Sequence, residues 1–458
     1  MKYVRLLIPL LLLSYNLYSA EMQSIDPFAY ANALYDEGNW TEAYKEFTDI
    51  HANISSGTIN KENIKQADLI CGHVNYGDVT FAIAATQYAK NNIDHAKELM
   101  RKACRHWSHR LNGSLFGRIP LNNEWLVGQD IAGKILIVFS ERVNGAFGDS
   151  FYASWLLEWA KEQGAIIIFI PQKPLAKLYD KQCLPNTLQA QYIDQVALRD
   201  TELPHHDKTI YLWSLLEHCL HNNTIEKPFP VRQCLSGTNY CNENLNKKII
   251  ELTQFYGHTP FLVGGWWRSS ANKAFDNGYL DRDPGAHKIL STIQELPVLF
   301  INLEGLGRIP LSKEKLEKRK VKGTAGNSDD IDVTTYPTHN VFNFDPNFDK
   351  EIPFGDTINI MQMIKKEGGI LIGCDTGLCN AAAMVSKNKT TYKEKSVFVI
   401  LNKKADFRWS DNITSPREWH HSDDVLIFQA QKQREWDTPL IQARNLIEHR
   451  IGQFLNRQ

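Results

Sequence analysis

Net charge is the first thing this chain lacks. Its 51 lysines and arginines are offset by 52 aspartates and glutamates, leaving a formal charge of −1 over 458 residues. A nucleic acid or an anionic membrane as the main partner calls for a basic excess that the composition does not supply. Long apolar runs are scarce too: Leu6 to Leu13 is too short to cross a bilayer comfortably, and no other segment comes closer. Cysteines at zinc-ligand spacing are missing among Cys71, Cys104, Cys183, Cys219, Cys234, Cys241, Cys374 and Cys379. The paired histidines His205-His206 and His420-His421 bring no carboxylate or cysteine at ligand spacing, so no metal site is expected.

What is present describes an ordinary globular protein, with 43% hydrophobic and 22% charged residues. The length exceeds one core and predicts about three domains. Met1 to Arg5 forms a short positive head before Leu6 to Leu13, which reads as a signal peptide over residues 1–20 with cleavage after Ser19 or Ala20. An uncleaved anchor is the competing reading. Export to the periplasm or the exterior permits disulfides, and Cys234 with Cys241 is the nearest local pair. Buried free thiols are the other reading of these cysteines.

Residues 21–110 read as helical hairpins. Small and aromatic residues from Phe28 to Tyr35 are followed by a Gly38-Asn39 turn and a second helix, and Phe81 to Trp107 repeats the pattern around Asn91-Asn92. Ala43 and Ala96 lie 53 residues apart, well beyond the roughly 34 of a regular tetratricopeptide array, so the copies are degenerate or separated by an insertion. So few repeats need a neighbour to bury their apolar face, and the helices are expected to pack on the next domain. A protein-binding surface and a plain helical extension both remain open.

From Ile135 onward strands and helices alternate. Expected strands are Ile135 to Phe139, Ala165 to Ile170, Thr209 to Leu212, Pro260 to Gly265, Val298 to Leu303, Gly369 to Gly373, Ser396 to Leu401 and Val425 to Gln429. One helix is expected around Ser150 to Glu162, another from Ile358 to Lys366, and a last one from Thr438 to Leu455 that packs back across the first sheet. This rhythm predicts an α/β chain with two Rossmann-like units, residues 121–255 and 256–437, and a closing helix over 438–458. Lys313 to Asn340 reads as a surface loop, and the basic run from Leu311 to Lys322 as a solvated face.

The most informative stretch is Gly368 to Ala383, where an apolar strand ends in Asp375-Thr376-Gly377 and turns into a small-residue helix. A helix N-terminus behind a strand offers amides and a positive dipole end to phosphate. A structural βα turn with Asp375 as a plain cap is the alternative.

With Asp356-Thr357 before that strand and Asp406-Phe407-Arg408-Trp409 after the next, this order resembles the C-terminal half of tetratricopeptide-repeat glycosyltransferases, similar to heptosyltransferases and more distantly to O-linked N-acetylglucosamine transferases. Trp125 to Lys134, the strand from Ile135, Ser140-Glu141 and Gly145-Ala146-Phe147-Gly148-Asp149 match the family's N-terminal half. The resemblance spans roughly residues 121 to 440 and is weak between 171 and 260. It implies a GT-B-like pair of Rossmann-like domains behind a short repeat segment, and metal-independent transfer of a sugar from a nucleotide diphosphate to a protein or glycan hydroxyl. No cofactor beyond that donor is implied.

On that resemblance Asp149 is the candidate general base, with a helix cap for Ser150 onward as its other role. Gly148, Asp375, Thr376 and Gly377 form turns facing the donor, and Arg268 and Arg408 are the candidate cations for the leaving diphosphate. Asn380 stands where the family has histidine. It can hydrogen-bond a phosphate or ribose but cannot shuttle a proton. Val143 and Asn144 expand the first glycine turn, while Trp266 and Trp267 fill a position of small residues, either to stack a base or sugar or to join the core. The main alternative is a catalytically inactive scaffold that binds a protein or glycan. A nucleotide-sugar epimerase or hydrolase is a third reading.

Overall fold

The computed structural model describes residues 26–37, 39–108, 121, 123–140, 147–199, 201–222, 233–237, 243–267, 284–303, 340–343, 352–386, 394–402, 424–432 and 435–457. The leader, residues 311–339, Val143, Asn144, Cys241, Arg268, Arg408, His420 and His421 lie outside them.

The described residues begin with helices α1 (Ala29–Glu37), α2 (Trp40–Ser55), α3 (Gln66–Ala89) and α4 (Ile93–Ser108). Trp40, Ala43, Phe47 and Ile50 recur at helical spacing and are the buried face of α2. Asn91 takes a φ of 60° in the turn between α3 and α4, a conformation that asparagine tolerates. The Phe28 ring rests where Gly72 has no side chain, so any Cβ on α3 there would collide with it. As expected, these helices lean on the next layer: Arg101 donates to the carbonyl of Leu220, 3.0 Å away.

The first βα run comprises β1 (Ile135–Phe139), α5 (Phe147–Ala153), α6 (Trp155–Glu162), β2 (Ile166–Ile170), α7 (Ala176–Tyr179), α8 (Gln189–Tyr192), β3 (Gln195–Val196), β4 (Lys208–Tyr211) and α9 (Leu215–His221). The single helix expected from Ser150 is broken at Ser154. Its hydroxyl bonds back to the Ser150 carbonyl at 2.6 Å and meets Tyr179 Oη at 2.7 Å, a pattern that bends helices.

The second run comprises α10 (Glu243–Tyr256), β5 (Phe261–Trp266), α11 (Ala286–Ser291), β6 (Val298–Asn302), β7 (Val341–Phe342), α12 (Gly355–Lys366), β8 (Ile370–Cys374), α13 (Gly377–Met384), β9 (Val397–Leu401), β10 (Val425–Gln429) and α14 (Asp437–Leu455).

The strands form a sheet of order β3-β2-β1-β4 and another of order β10-β9-β8-β5-β6-β7. Every pairing in both is parallel. Parallel sheets bury both faces, and period-two alternation assigns each residue to one of them. Leu136 and Val138 enter the core shared with the helical segment, whereas Ile137 and Phe139 face a separate cluster. In the second sheet Leu371 joins the shared core, while Ile370 and Ile372 face the opposite side.

That opposite side corrects the expectation for the last helix. Trp436, the N-cap of α14, and Leu440, Ala443, Ile447 and Ile451 within it pack with Phe261, Phe398 and Ile400 on the second sheet, not across the first. Its apolar stripe covers a face that would otherwise be wet, and Phe454 meets Phe261 edge-on at 5.4 Å.

Cys234 is likewise a free, buried thiol, against the expected bridge to Cys241. Burial pushes its pKa up to about 12, and its carbonyl accepts the Tyr192 hydroxyl at 3.1 Å.

Candidate functional site

Each sheet has a topological switch point, where successive strands turn away in opposite directions. In the first it lies between β1 and β4, and in the second between β5 and β8. The crevice beyond the carboxyl ends of the strands at such a point is where open α/β sheets take ligands. Here β1 leads towards α5 and β8 leads directly into α13, and the N-terminal turns of these two helices meet.

The meeting is close. A Cβ on Gly148 would stand 2.8 Å from Asn380 Nδ2 and 3.1 Å from Gly377 Cα, while one on Gly377 would stand 3.2 Å from the Gly148 nitrogen. Only glycine lets the two turns come this near. Each helix start carries amides without intrahelical partners and roughly half a positive charge, so two such ends side by side favour an anion beside them.

The strand end at β8 is built by its neighbours. Trp266 is fully buried, its ring lies where Gly373 has no side chain, and its Nε1–H donates to the Cys374 carbonyl at 2.8 Å. Trp267 is 3% exposed and stacks on Phe300 with centroids 6.4 Å apart. Both indoles therefore belong to the core, which excludes the base-stacking or sugar-stacking role.

Thr376, not Asp375, is the N-cap of α13. Its backbone is extended (φ −144°, ψ 177°), and its side chain makes no capping bond. The expected capping role of Asp375 is thereby corrected: it lies one residue earlier, 4% exposed at the end of the strand. Among the described residues, Thr376 Oγ1 and Asn380 Oδ1 are buried without a hydrogen-bond partner, and Asn380 is 2% exposed. A buried polar atom without a partner costs free energy, of order 1–3 kcal/mol, that a ligand can recover. The two edges of the Asn380 carboxamide interchange by rotating the side chain, so it can donate or accept.

The structure thus brings Gly148, Thr376, Gly377 and Asn380 together, with Asp375 just behind them. Asp149 lies in the first turn of α5 beside Gly148. Arg268 and Arg408 fall outside the described residues.

One cation was not anticipated. Arg199, just after β3, donates from Nη2 to the Ser140 carbonyl at 2.7 Å, and its guanidinium lies 5.7 Å from the Phe139 ring centroid. It thereby sits at the carboxyl edge of the first sheet. No sequence pattern marks it, because it follows a strand of only two residues in the weakly matching middle.

No family model matches this chain, and no curated protein does. Among solved structures, it is similar to a family 9 glycosyl transferase from Veillonella parvula DSM 2008, with 11% identity and a TM-score of 0.37, covering 74% of this chain and 100% of that one. It is also similar to the E. coli ADP-heptose lps heptosyltransferase II, with 10% identity, a TM-score of 0.36 and coverage of 70% and 99%. The iron-containing dodecameric glycosyltransferase TibC from enterotoxigenic E. coli H10407 aligns at 11% identity and a TM-score of 0.36, covering 72% and 77%. At these scores the likeness carries no argument about what this chain does.

Proposed function

We propose that this chain is a GT-B-like glycosyltransferase that seats the diphosphate of a nucleotide sugar on the first turn of α13 and transfers the sugar to a hydroxyl of a protein or glycan. The observation that carries the reading is the contact of Gly148 with Gly377 and Asn380, which sets two helix N-termini against each other at the switch points of two parallel sheets.

The chemistry follows from charge. As the acceptor oxygen bonds to the anomeric carbon, the bond from that carbon to the phosphate oxygen breaks and the nucleoside diphosphate leaves with the electron pair. The α13 amides and the Thr376 hydroxyl stabilise that developing charge. Asp149 takes the proton of the acceptor hydroxyl. Arg268 and Arg408 are the proposed cationic contacts to the diphosphate.

Asn380 favours a second reading. An uncharged amide at this point can hold a phosphate or ribose but cannot move a proton, which suits a catalytically inactive binding module. Export through residues 1–20 and a protein partner on the α1–α4 helices accompany either reading.

Calorimetric titration of the protein separates them from failure. ADP and its sugars are titrated first. UDP, GDP, CMP and their sugars follow. Saturable binding of one nucleotide, lost in Gly148→Ala and Asp375→Ala, supports the donor site. A folded protein that binds none of them overturns it. Sugar transfer abolished by Asp149→Asn, with nucleotide binding kept, distinguishes enzyme from binding module.

A further inference from the structure

Lys365 is a buried cation at the opposite end of α13 from the turn described above. Its side chain is 0% exposed, and that of its partner Asp424 is 1% exposed, with 2.8 Å between Nζ and Oδ2. The ammonium also donates to the Ala382 carbonyl at 2.6 Å and to the Val385 carbonyl at 2.7 Å, at the C-terminus of α13. An ammonium has three protons, and here they meet three acceptors. Asp424 in turn accepts from Ser396 N at 2.9 Å and Ser396 Oγ at 2.7 Å, just before β9. One charge thus ties α12, the end of α13 and the approaches to β9 and β10.

The same helix end receives a crossing segment. Leu235 N donates to the Met384 carbonyl at 3.1 Å, and Ser386 N donates to the Leu235 carbonyl at 3.2 Å. On its other side this segment is held by Gln189, which donates to the Ser236 carbonyl at 3.0 Å and accepts from Ser236 N at 3.2 Å. Helix α13 is therefore gripped at its C-terminus by Lys365 and Leu235 and met at its N-terminus by Gly148.

A buried ion pair is a weak source of stability, since well-packed apolar residues often replace it without loss. What it does supply is a single geometry, because any sliding of α13 would break bonds that water cannot replace. We infer that Lys365 is a positioning residue for the diphosphate site: by holding the Ala382 and Val385 carbonyls it fixes where the first turn of α13 stands against Gly148. The ligand part of this inference rests on the donor-site reading above, whereas the positional part stands without it.

The test uses the full chain with Lys365→Met/Asp424→Asn, which removes both charges and keeps an acceptor for Ser396. Lys365→Met alone serves as the comparison that leaves a carboxylate buried. In the ligand-free double variant, amide exchange at residues 377–380 is expected to accelerate on the order of tenfold while β8 and β9 keep their protection. Exchange at 377–380 equal to that of the unaltered protein overturns the inference, whether or not any nucleotide binds. Where the unaltered protein binds a nucleoside diphosphate, the double variant is expected to bind it on the order of tenfold more weakly, with affinity for the bare nucleoside unchanged. Equal loss for nucleoside and diphosphate, or no loss for either, assigns Lys365 a structural role only. A double variant that does not fold assigns it the same, since the pair then supplies stability rather than position.

Discussion

Gly148 and Gly377 lie 229 positions apart in the chain, yet a Cβ on the second would stand 3.2 Å from the backbone nitrogen of the first. No side chain fits between them, so the two helix starts act as one surface.

Gly148→Ala tests that contact. The added methyl would meet Asn380 Nδ2 at 2.8 Å and Gly377 Cα at 3.1 Å, and the second neighbour is backbone that cannot swing aside. The expected cost is about 1–3 kcal/mol of stability from overpacking, read from the midpoint of urea unfolding. On the proposed donor-site reading, nucleotide affinity is expected to fall with it, measured by calorimetry on the folded protein.

Trp266→Phe removes the Nε1–H bond to the Cys374 carbonyl, which is buried next to the Asp375-Thr376-Gly377 turn. Losing this buried hydrogen bond is expected to cost about 0.5–1.5 kcal/mol. Chemical denaturation gives the stability. A wild-type melting curve in the variant would show that the indole bond contributes nothing.

His218 makes stability depend on pH. Burial lowers its pKa from 6.5 to about 4, against a raising contribution from its backbone bond with Trp125, whose ring lies 4.0 Å from the imidazole. The unfolded chain therefore takes up a proton before the folded one does. The stabilisation is complete above pH 6.5, declines as pH falls, and is lost below about pH 4, amounting to about 3 kcal/mol by linkage. A melting series from pH 7.5 to pH 4 should slope downwards on acidification, and more gently in His218→Phe.

Native thiol labelling reads the cysteines. Cys71 and Cys183 are exposed, whereas Cys104, Cys219, Cys234, Cys374 and Cys379 are buried free thiols. Among these seven, fast reaction with a thiol reagent is expected at the two exposed positions alone. Rapid labelling of Cys234 in the folded protein would contradict its burial and its raised pKa.

Several elements are legible in the amino-acid order. The apolar pentads around Ile135, Ile166, Val298 and Val397 read as buried parallel strands because both faces of each are covered, and the turn after Cys374 reads as a strand-to-helix junction from its small residues. Other features are hidden there. Trp266 and Trp267 cannot be assigned to core or cleft without knowing that Gly373 leaves room for one and Phe300 supports the other. The sheet that α14 covers is equally illegible, because an amphipathic stripe shows that a helix must cover something, not which sheet it covers. Lys365 looks like any helix lysine, since nothing nearby in sequence discloses Asp424, 59 positions on.

Local order, then, was determined by the sequence alone: hydrophobic periodicity and turn chemistry act over a few residues and set where strands and helices start and stop. The tertiary structure alone decided which of those ends meet. The pairing of Gly148 with Gly377, the cap beneath α13 at Lys365, and Arg199 at the edge of the first sheet all join residues far apart in the chain. Their energies depend on burial and distance, quantities that exist only once the sheets have packed.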